Sequence, residues 1–169
     1  LAGDGDVTLT AGTYYIDGEL NLKKSTLTLE PSADEEVHLV VTGNINIDND
    51  GEIAVVGDND NAARLYTTGG SIDMKSGTVS VAGDESARFW LYGPSDLSGT
   101  MKSQSQFTGV YYAPGDRSSL NLGSQSELFG AMVTGKSDFK SGSTIHYDRA
   151  VEGMPAYSTD VTLFSYLHV

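Results

Sequence analysis

Asn46-Ile47-Asp48-Asn49-Asp50-Gly51-Glu52-Ile53 carries oxygen side chains at alternating positions, a Gly at the turn and an Ile after it. That matches the first eight positions of a calcium-binding EF-hand loop. The match stops there: position twelve, where a bidentate Glu closes such a site, is Gly57, and no helices flank the loop. Asp58-Asn59-Asp60-Asn61 adds oxygen ligands immediately downstream, so Asp48, Asp50, Asp58 and Asp60 are the candidate ligands. Calcium is the one cofactor the sequence offers, and otherwise none is expected. Asp, Asn and Gly also make good turns without any metal, and that reading competes.

Catalytic groupings are sparse. His38, His146 and His168 are scattered, and His146 in Ile145-His146-Tyr147-Asp148 sits beside a core strand, where a lone His is structural. No Ser stands in Gly-x-Ser-x-Gly form, and with no cysteine there is no thiol nucleophile, disulfide or Cys-based zinc site. Arg64 and Arg88 open the same strand of adjacent units, with Asp73, Asp84 and Asp96 in the neighbourhood. A polysaccharide-cleaving β-helix would need such groups in a walled cleft, and the segments between strands are short. No catalytic residue is assigned and no enzyme is expected.

Two surface patterns point to binding instead. Tyr14, Tyr15, Tyr66, Trp90, Tyr92, Tyr111 and Tyr112 fall on one strand of successive units, and alternate members should face outward. Tyr66, Trp90, Tyr92, Tyr111 and Tyr112 are the candidate ligand face, since exposed rings stack on the apolar faces of sugars. An aromatic ladder that stabilises the stack without a ligand is the competing account. Lys75, Lys102 and Lys140 share one repeat position; they form either a contact stripe for an anionic polymer or corner residues paired with nearby carboxylates. Ice binding would need a regular threonine array, and Thr26/Thr28 is not repeated.

What positions these residues is a repeat. Leu22, Ile47, Met74, Met101, Leu122 and Phe139 are each followed by a small polar corner, as in Met74-Lys75-Ser76-Gly77 and Leu122-Gly123-Ser124-Gln125-Ser126. Glycines at 18, 43, 69, 93, 115 and 135 close a short β-branched or aromatic run in each unit. Strict alternation follows, as in Leu20/Leu22 and Ile45/Ile47, and a third apolar pair comes after the corner, as in Leu27/Leu29 and Ile53/Val55. Three short strands per unit, none able to bury its side chains alone, describe a parallel β-helix of about six coils with irregular terminal caps. An antiparallel sandwich also suits alternating strands, but it gives no reason for the corner phrase to recur. The six anchors should form one inward column. Residues 1–12 are expected as an N-terminal edge strand, 13–150 as the repeats and 151–169 as a cap or side strand.

The chain has 169 residues, enough for one continuous core, and a formal net charge of −13. That acidity disfavours duplex nucleic acid and anionic membrane surfaces as partners. No apolar stretch approaches the length of a bilayer span, so no membrane insertion of the domain is expected. Starting at Leu1, the sequence reads as a processed or excised domain.

Phe107-Thr108-Gly109-Val110-Tyr111-Tyr112-Ala113-Pro114, Leu128-Phe129-Gly130-Ala131-Met132-Val133 and Ile145-His146-Tyr147-Asp148 together resemble a β-solenoid domain of unknown function. Tyr14-Tyr15-Ile16-Asp17-Gly18 resembles its opening. That family occurs in bacterial and archaeal proteins with a pilin-like N-terminal helix, the PilX-like minor pilins among them. The resemblance implies a non-enzymatic structural or adhesive module, extracellular or at the cell surface, with pilus or envelope subunits as partners; a glycan or other surface ligand is the partner the aromatic face would add. It brings no catalytic residues. The chain departs from it in lacking the pilin helix and in its Asp/Asn-rich corner at 48–61. A carbohydrate-binding or carbohydrate-processing β-helix is the alternative expectation.

Overall fold

The computed structural model describes residues 5–57 and 61–153. Strand accounts for 57% of it and helix for 7%, with no helix of seven residues or more. In chain order the strands come in threes, each set being one level of a stack. The first level is β1 (Val7–Thr10), β2 (Gly12–Ile16) and β3 (Leu20–Lys23), and the second is β4 (Thr26–Glu30), β5 (Val37–Val41) and β6 (Ile45–Asp48). The third is β7 (Glu52–Val55), β8 (Ala63–Thr67) and β9 (Ser71–Lys75), and the fourth β10 (Thr78–Val81), β11 (Phe89–Tyr92) and β12 (Ser98–Lys102). Above them β13 (Gln106–Ala113) with β14 (Ser119–Leu122), and β15 (Glu127–Thr134) with β16 (Lys136–Phe139), make the fifth and sixth; β17 (Thr144–Tyr147) starts one more turn.

Each strand pairs in parallel with its counterpart one level away, which builds three faces. The third face is the six-stranded sheet β3-β6-β9-β12-β14-β16. The first and second faces merge into one eleven-stranded sheet, because β13 and β15 each run across both. The result is a β-solenoid of about five turns, the five steps between six stacked strands. β1 is a full rung of the first face, Val7 to Thr10 opposite Leu27 to Glu30.

The anchors align in the register their spacing predicts: Leu22–Ile47–Met74–Met101–Leu122–Phe139 is one unbroken column. The first five are buried, between 0% and 4% exposed. Phe139 is a correction, being 47% exposed although its column is right. It stands on β16, which among the described residues has a strand neighbour on one side only, so no seventh-level strand covers its ring there. Inside, Leu20, Leu29, Leu39, Ile45, Leu65 and Phe89 are fully buried and belong to one continuous apolar core.

The recurring corner phrase has a conformational cause. Between the third and first faces the chain turns through left-handed residues, among them Lys24, Asn49, Asp50, Ser76, Gln104 and Gln125, with φ between 49° and 66°. Polar residues without a branch at Cβ tolerate that region better than β-branched ones, Asn and Asp best of all. The corner's last residue points inward and must be small. Where it is Ser105 or Ser126, its hydroxyl donates to the carbonyl three residues back at 2.6 Å. Where it is Gly77, a Cβ would collide with the carbonyl of Ile47 one level below. The corner between the first and second faces is different: it is a single residue at Ala11, Gly109 and Gly130, but an arc of six or seven at 31–36, 56–62 and 82–88.

Candidate functional site

The described arc residues Glu36 and Ala62 lie against the outward residues Arg64 and Trp90 of the second face, and there the chemistry-bearing side chains gather. Alternation turns two columns outward on this face. One reads Thr13–His38–Arg64–Trp90–Val110–Ala131, the other Tyr15–Val40–Tyr66–Tyr92–Tyr112–Val133. At their centre is Arg64. Its Nε and Nη2 donate to the two carboxylate oxygens of Glu36, at 2.5 and 2.7 Å, and its Nη1 donates to the Tyr92 hydroxyl at 3.0 Å. His38 Nε2 lies 3.3 Å from Glu36 Oε2. Glu36, at the end of the second-level arc, thus binds a third-level arginine that binds a fourth-level tyrosine.

The electrostatics follow from this geometry. Partial burial opposes ionisation of Glu36, but the bidentate bond and charge of Arg64 outweigh it and hold the carboxyl below its ordinary value. The same bond raises Arg64 further above neutrality. Burial, with Tyr92 close by, pushes the Tyr66 hydroxyl up. Glu36 and Arg64 thus each favour the charged form of the other, an arrangement suited to holding levels together.

The rings form a stack. Tyr66 and Tyr92 lie 4.9 Å apart with planes 11° from parallel, Trp90 and Tyr92 5.9 Å apart at 15°, and His38 and Tyr66 6.1 Å apart at 8°. Tyr92 meets Tyr112 edge-on at 5.9 Å. Stacked neighbours occupy one another's π faces, so a sugar approaching the middle of this ladder meets ring edges. Tyr15, at the head of the tyrosine column, is 66% exposed.

Two members of the candidate ligand face need correction. Tyr111 points inward, in the column Tyr14–Leu39–Leu65–Leu91–Tyr111–Met132, and is 3% exposed. Burial pushes its hydroxyl well above the ordinary tyrosine value. Trp90 does stand on the outer side but is only 6% exposed. It packs with Ala62 and Val110 in a second apolar cluster, against which Val151 also rests. Tyr66, Tyr92 and Tyr112 are the half-buried outward members.

The arcs are tied to each other as well. Arg88, 4% exposed, donates from Nη1 to the Gly57 carbonyl at 2.9 Å and from Nη2 to the Val56 carbonyl at 3.1 Å, pinning the fourth-level arc on the third. Asn61 Nδ2 donates to the Ser32 carbonyl at 2.7 Å, pinning the third on the second. His146 stacks on Phe129 at 4.4 Å and 6° on the outer side of the first face.

Of the four candidate calcium ligands, Asp48 and Asp50 lie among the described residues. Asp48 is an outward rung of the third face between Lys23 and Lys75, with Lys75 Nζ 3.8 Å from its Oδ2. Asp50 is an exposed left-handed turn residue whose amide donates to the Ser76 carbonyl at 3.1 Å. Asp58 and Asp60 lie outside the described residues. Among the described residues no three His, Cys, Asp or Glu side chains gather as a metal site. Lys75 and Lys102 are ladder neighbours, and each sits by a carboxylate, as does Lys140: Lys102 by Asp73 at 3.8 Å, Lys140 by Asp138 at 2.5 Å.

Residues 1–154 match the model of a family described as a domain of unknown function, DUF7305. The chain belongs to that family. No curated protein and no solved structure matches it. Within this family member, the pattern of the sequence found the outward columns but missed Glu36, Ser86 and Asp148. A signal for Glu36 existed: it precedes Arg64 by 28 residues, close to one repeat, so it stands beside that arginine one level down. Ser86 and Asp148 are hydrogen-bonded across 62 residues, which no repeat spacing announces.

Proposed function

We propose that this domain is a non-enzymatic structural and adhesive module of the cell exterior, carried on a pilus-like fibre or on the envelope. The observation that supports it is the use made of the reactive side chains: Glu36, Arg64 and Tyr92 bond three successive levels to one another, and the rings beside them stack in the same direction. Such cross-ties stiffen a rod and leave its outside as a repeated display. Weak contacts made in parallel along that display add up through effective concentration. The pilus or envelope setting, with subunits of that assembly as partners, rests on the resemblance of the Tyr-Ala-Pro, Phe-Gly-Ala and His-Tyr-Asp segments.

Carbohydrate binding is the second reading, favoured by the exposed ring of Tyr15 at the head of the tyrosine column. One experiment addresses both. The purified domain, free and multivalently coupled to beads, is applied to a glycan array with calcium and again with chelator, and any retained glycan is assayed for new reducing ends or unsaturated products. The module reading expects no turnover, and retention, where it occurs, that grows with the number of copies per bead. Product release overturns it. Retention by single copies that is lost in Tyr15→Ala moves the assignment to a dedicated carbohydrate-binding face, and a requirement for calcium assigns the Asp48 to Asn61 corner to metal.

A further inference from the structure

The side-chain bonds of the second face link neighbouring levels, with partners 28 to 32 residues apart. One bond skips two levels. Ser86, fully buried in the fourth-level arc, donates from Oγ to Asp148 Oδ2 at 2.6 Å, just beyond β17. The fifth and sixth levels do not stand in the way because their corners there are Gly109 and Gly130, at φ of 147° and 130°. A Cβ on Gly130 would strike the Gly109 carbonyl and lie 3.0 Å from the Ser86 Cβ. The short turn Ser86–Arg88 therefore rests directly on backbone.

Asp148 organises the chain that follows. Its Oδ1 accepts from the Ala150 amide at 2.9 Å, its carbonyl accepts from the Val151 amide at 3.3 Å, and its own amide donates to the Gly130 carbonyl at 3.2 Å. Ser86 and the Ala150 amide together hold its carboxyl below the ordinary value. The turn Arg149–Gly153 so fixed sets Val151 against Ala62, Trp90 and Val110. Trp90 Nε1 in turn donates to the carbonyl of Ala87, the residue next to Ser86, at 2.8 Å. One turn thus holds both the latch and the ring that the latch covers.

We propose that Ser86, Asp148 and Val151 form a clasp. Closed, it fastens the start of the seventh level to the fourth-level arc and seals Trp90; open, it frees β17 and bares the Ala62–Trp90–Val110 surface while the lower levels stay folded. The opening is local because β17 is four residues long, pairs among the described strands with β15 alone and buries little, with Tyr147 58% exposed. Segments with few apolar contacts open at lower free energy than the core they adjoin.

Trp90 is the single tryptophan of the chain, so its emission reads the clasp without labelling. Ser86→Ala and Asp148→Ala, each made in the full chain, should red-shift the native emission and raise acrylamide quenching several-fold. Amide exchange should quicken over 144–151 and not in β3, β6 and β9, and the double variant should do no more than the larger single one. Unchanged quenching and exchange in both singles would show that the bond latches nothing. Exchange that quickens equally through every level would show a contribution to global stability and no clasp.

Discussion

The second and third faces are built from the same ladder, yet they treat charge in opposite ways. On the second, Glu36 and Arg64 have side chains only 25% and 26% exposed, meet in a two-point bond, and are flanked by stacked rings. On the third, Lys75 and Lys102 are 53% and 49% exposed and stand 3.8 Å from single carboxylate oxygens. The third-face columns carry Asn21, Asn46, Asp73, Thr100, Asn121 and Asp138. The difference comes from the arcs. Where six or seven residues bulge beside a face they bring Glu36 to Arg64 and exclude water; where a tight left-handed corner bounds a face, its side chains stay hydrated. Repetition amplifies either outcome, a cross-tied wall in one case and a hydrophilic one in the other.

The largest test of this contrast is Arg64→Ala. It leaves Glu36 partly desolvated without its guanidinium and should lower stability by about 2 kcal/mol, below the cost of breaking a fully buried pair because both groups keep some water. Chemical denaturation measures it, and a loss no greater than that of a third-face lysine would erase the distinction. Tyr66→Ala removes the ring between His38 and Tyr92. It should cost about 1–2 kcal/mol through lost stacking and lost area, read in the same denaturation experiment.

The third test is pH. Because the folded-state carboxyl of Glu36 is depressed below its ordinary value, its contribution is complete above that value, near 4.5, and is lost as pH falls through the lower folded value. Unfolding midpoints should therefore drop on acidification below about pH 4.5, less steeply in Glu36→Gln; identical slopes in both proteins would remove Glu36 from the account. Smallest of all, Lys75→Ala and Lys102→Ala should each change stability by less than about 0.5 kcal/mol, and 1 M salt should abolish even that.

The sequence showed the columns and not the closures. Leu22, Ile47, Met74, Met101 and Leu122 were legible because alternation fixes which side of a strand a residue occupies and the corner phrase fixes the level. Phe139 obeys the same pattern, and its exposure follows from β16 being the last described strand of its sheet, which no pattern within the unit encodes. For Tyr111 and Tyr112 alternation says that one faces in and one out; the choice rests on Tyr111 pairing with inward Leu91. Trp90 lies on the side that alternation assigns, and what buries it is a cluster with Ala62 and Val110 that Val151, beyond the last described strand, helps to cover. Glu36 could have been found from its 28-residue offset to Arg64, whereas Ser86 and Asp148 lie in or beyond segments with no period, whose contacts depend on their path through space.

The corner between the first and second faces takes one residue at Gly109 and seven at 82–88, yet the strands on either side keep their parallel register, Val79 opposite Phe107 and Trp90 opposite Val110. That corner is an editable margin. Insertions there lengthen a flange on one flank while the stack beneath keeps its pitch, so descendants of this chain can change what the rod wears without relearning how to fold.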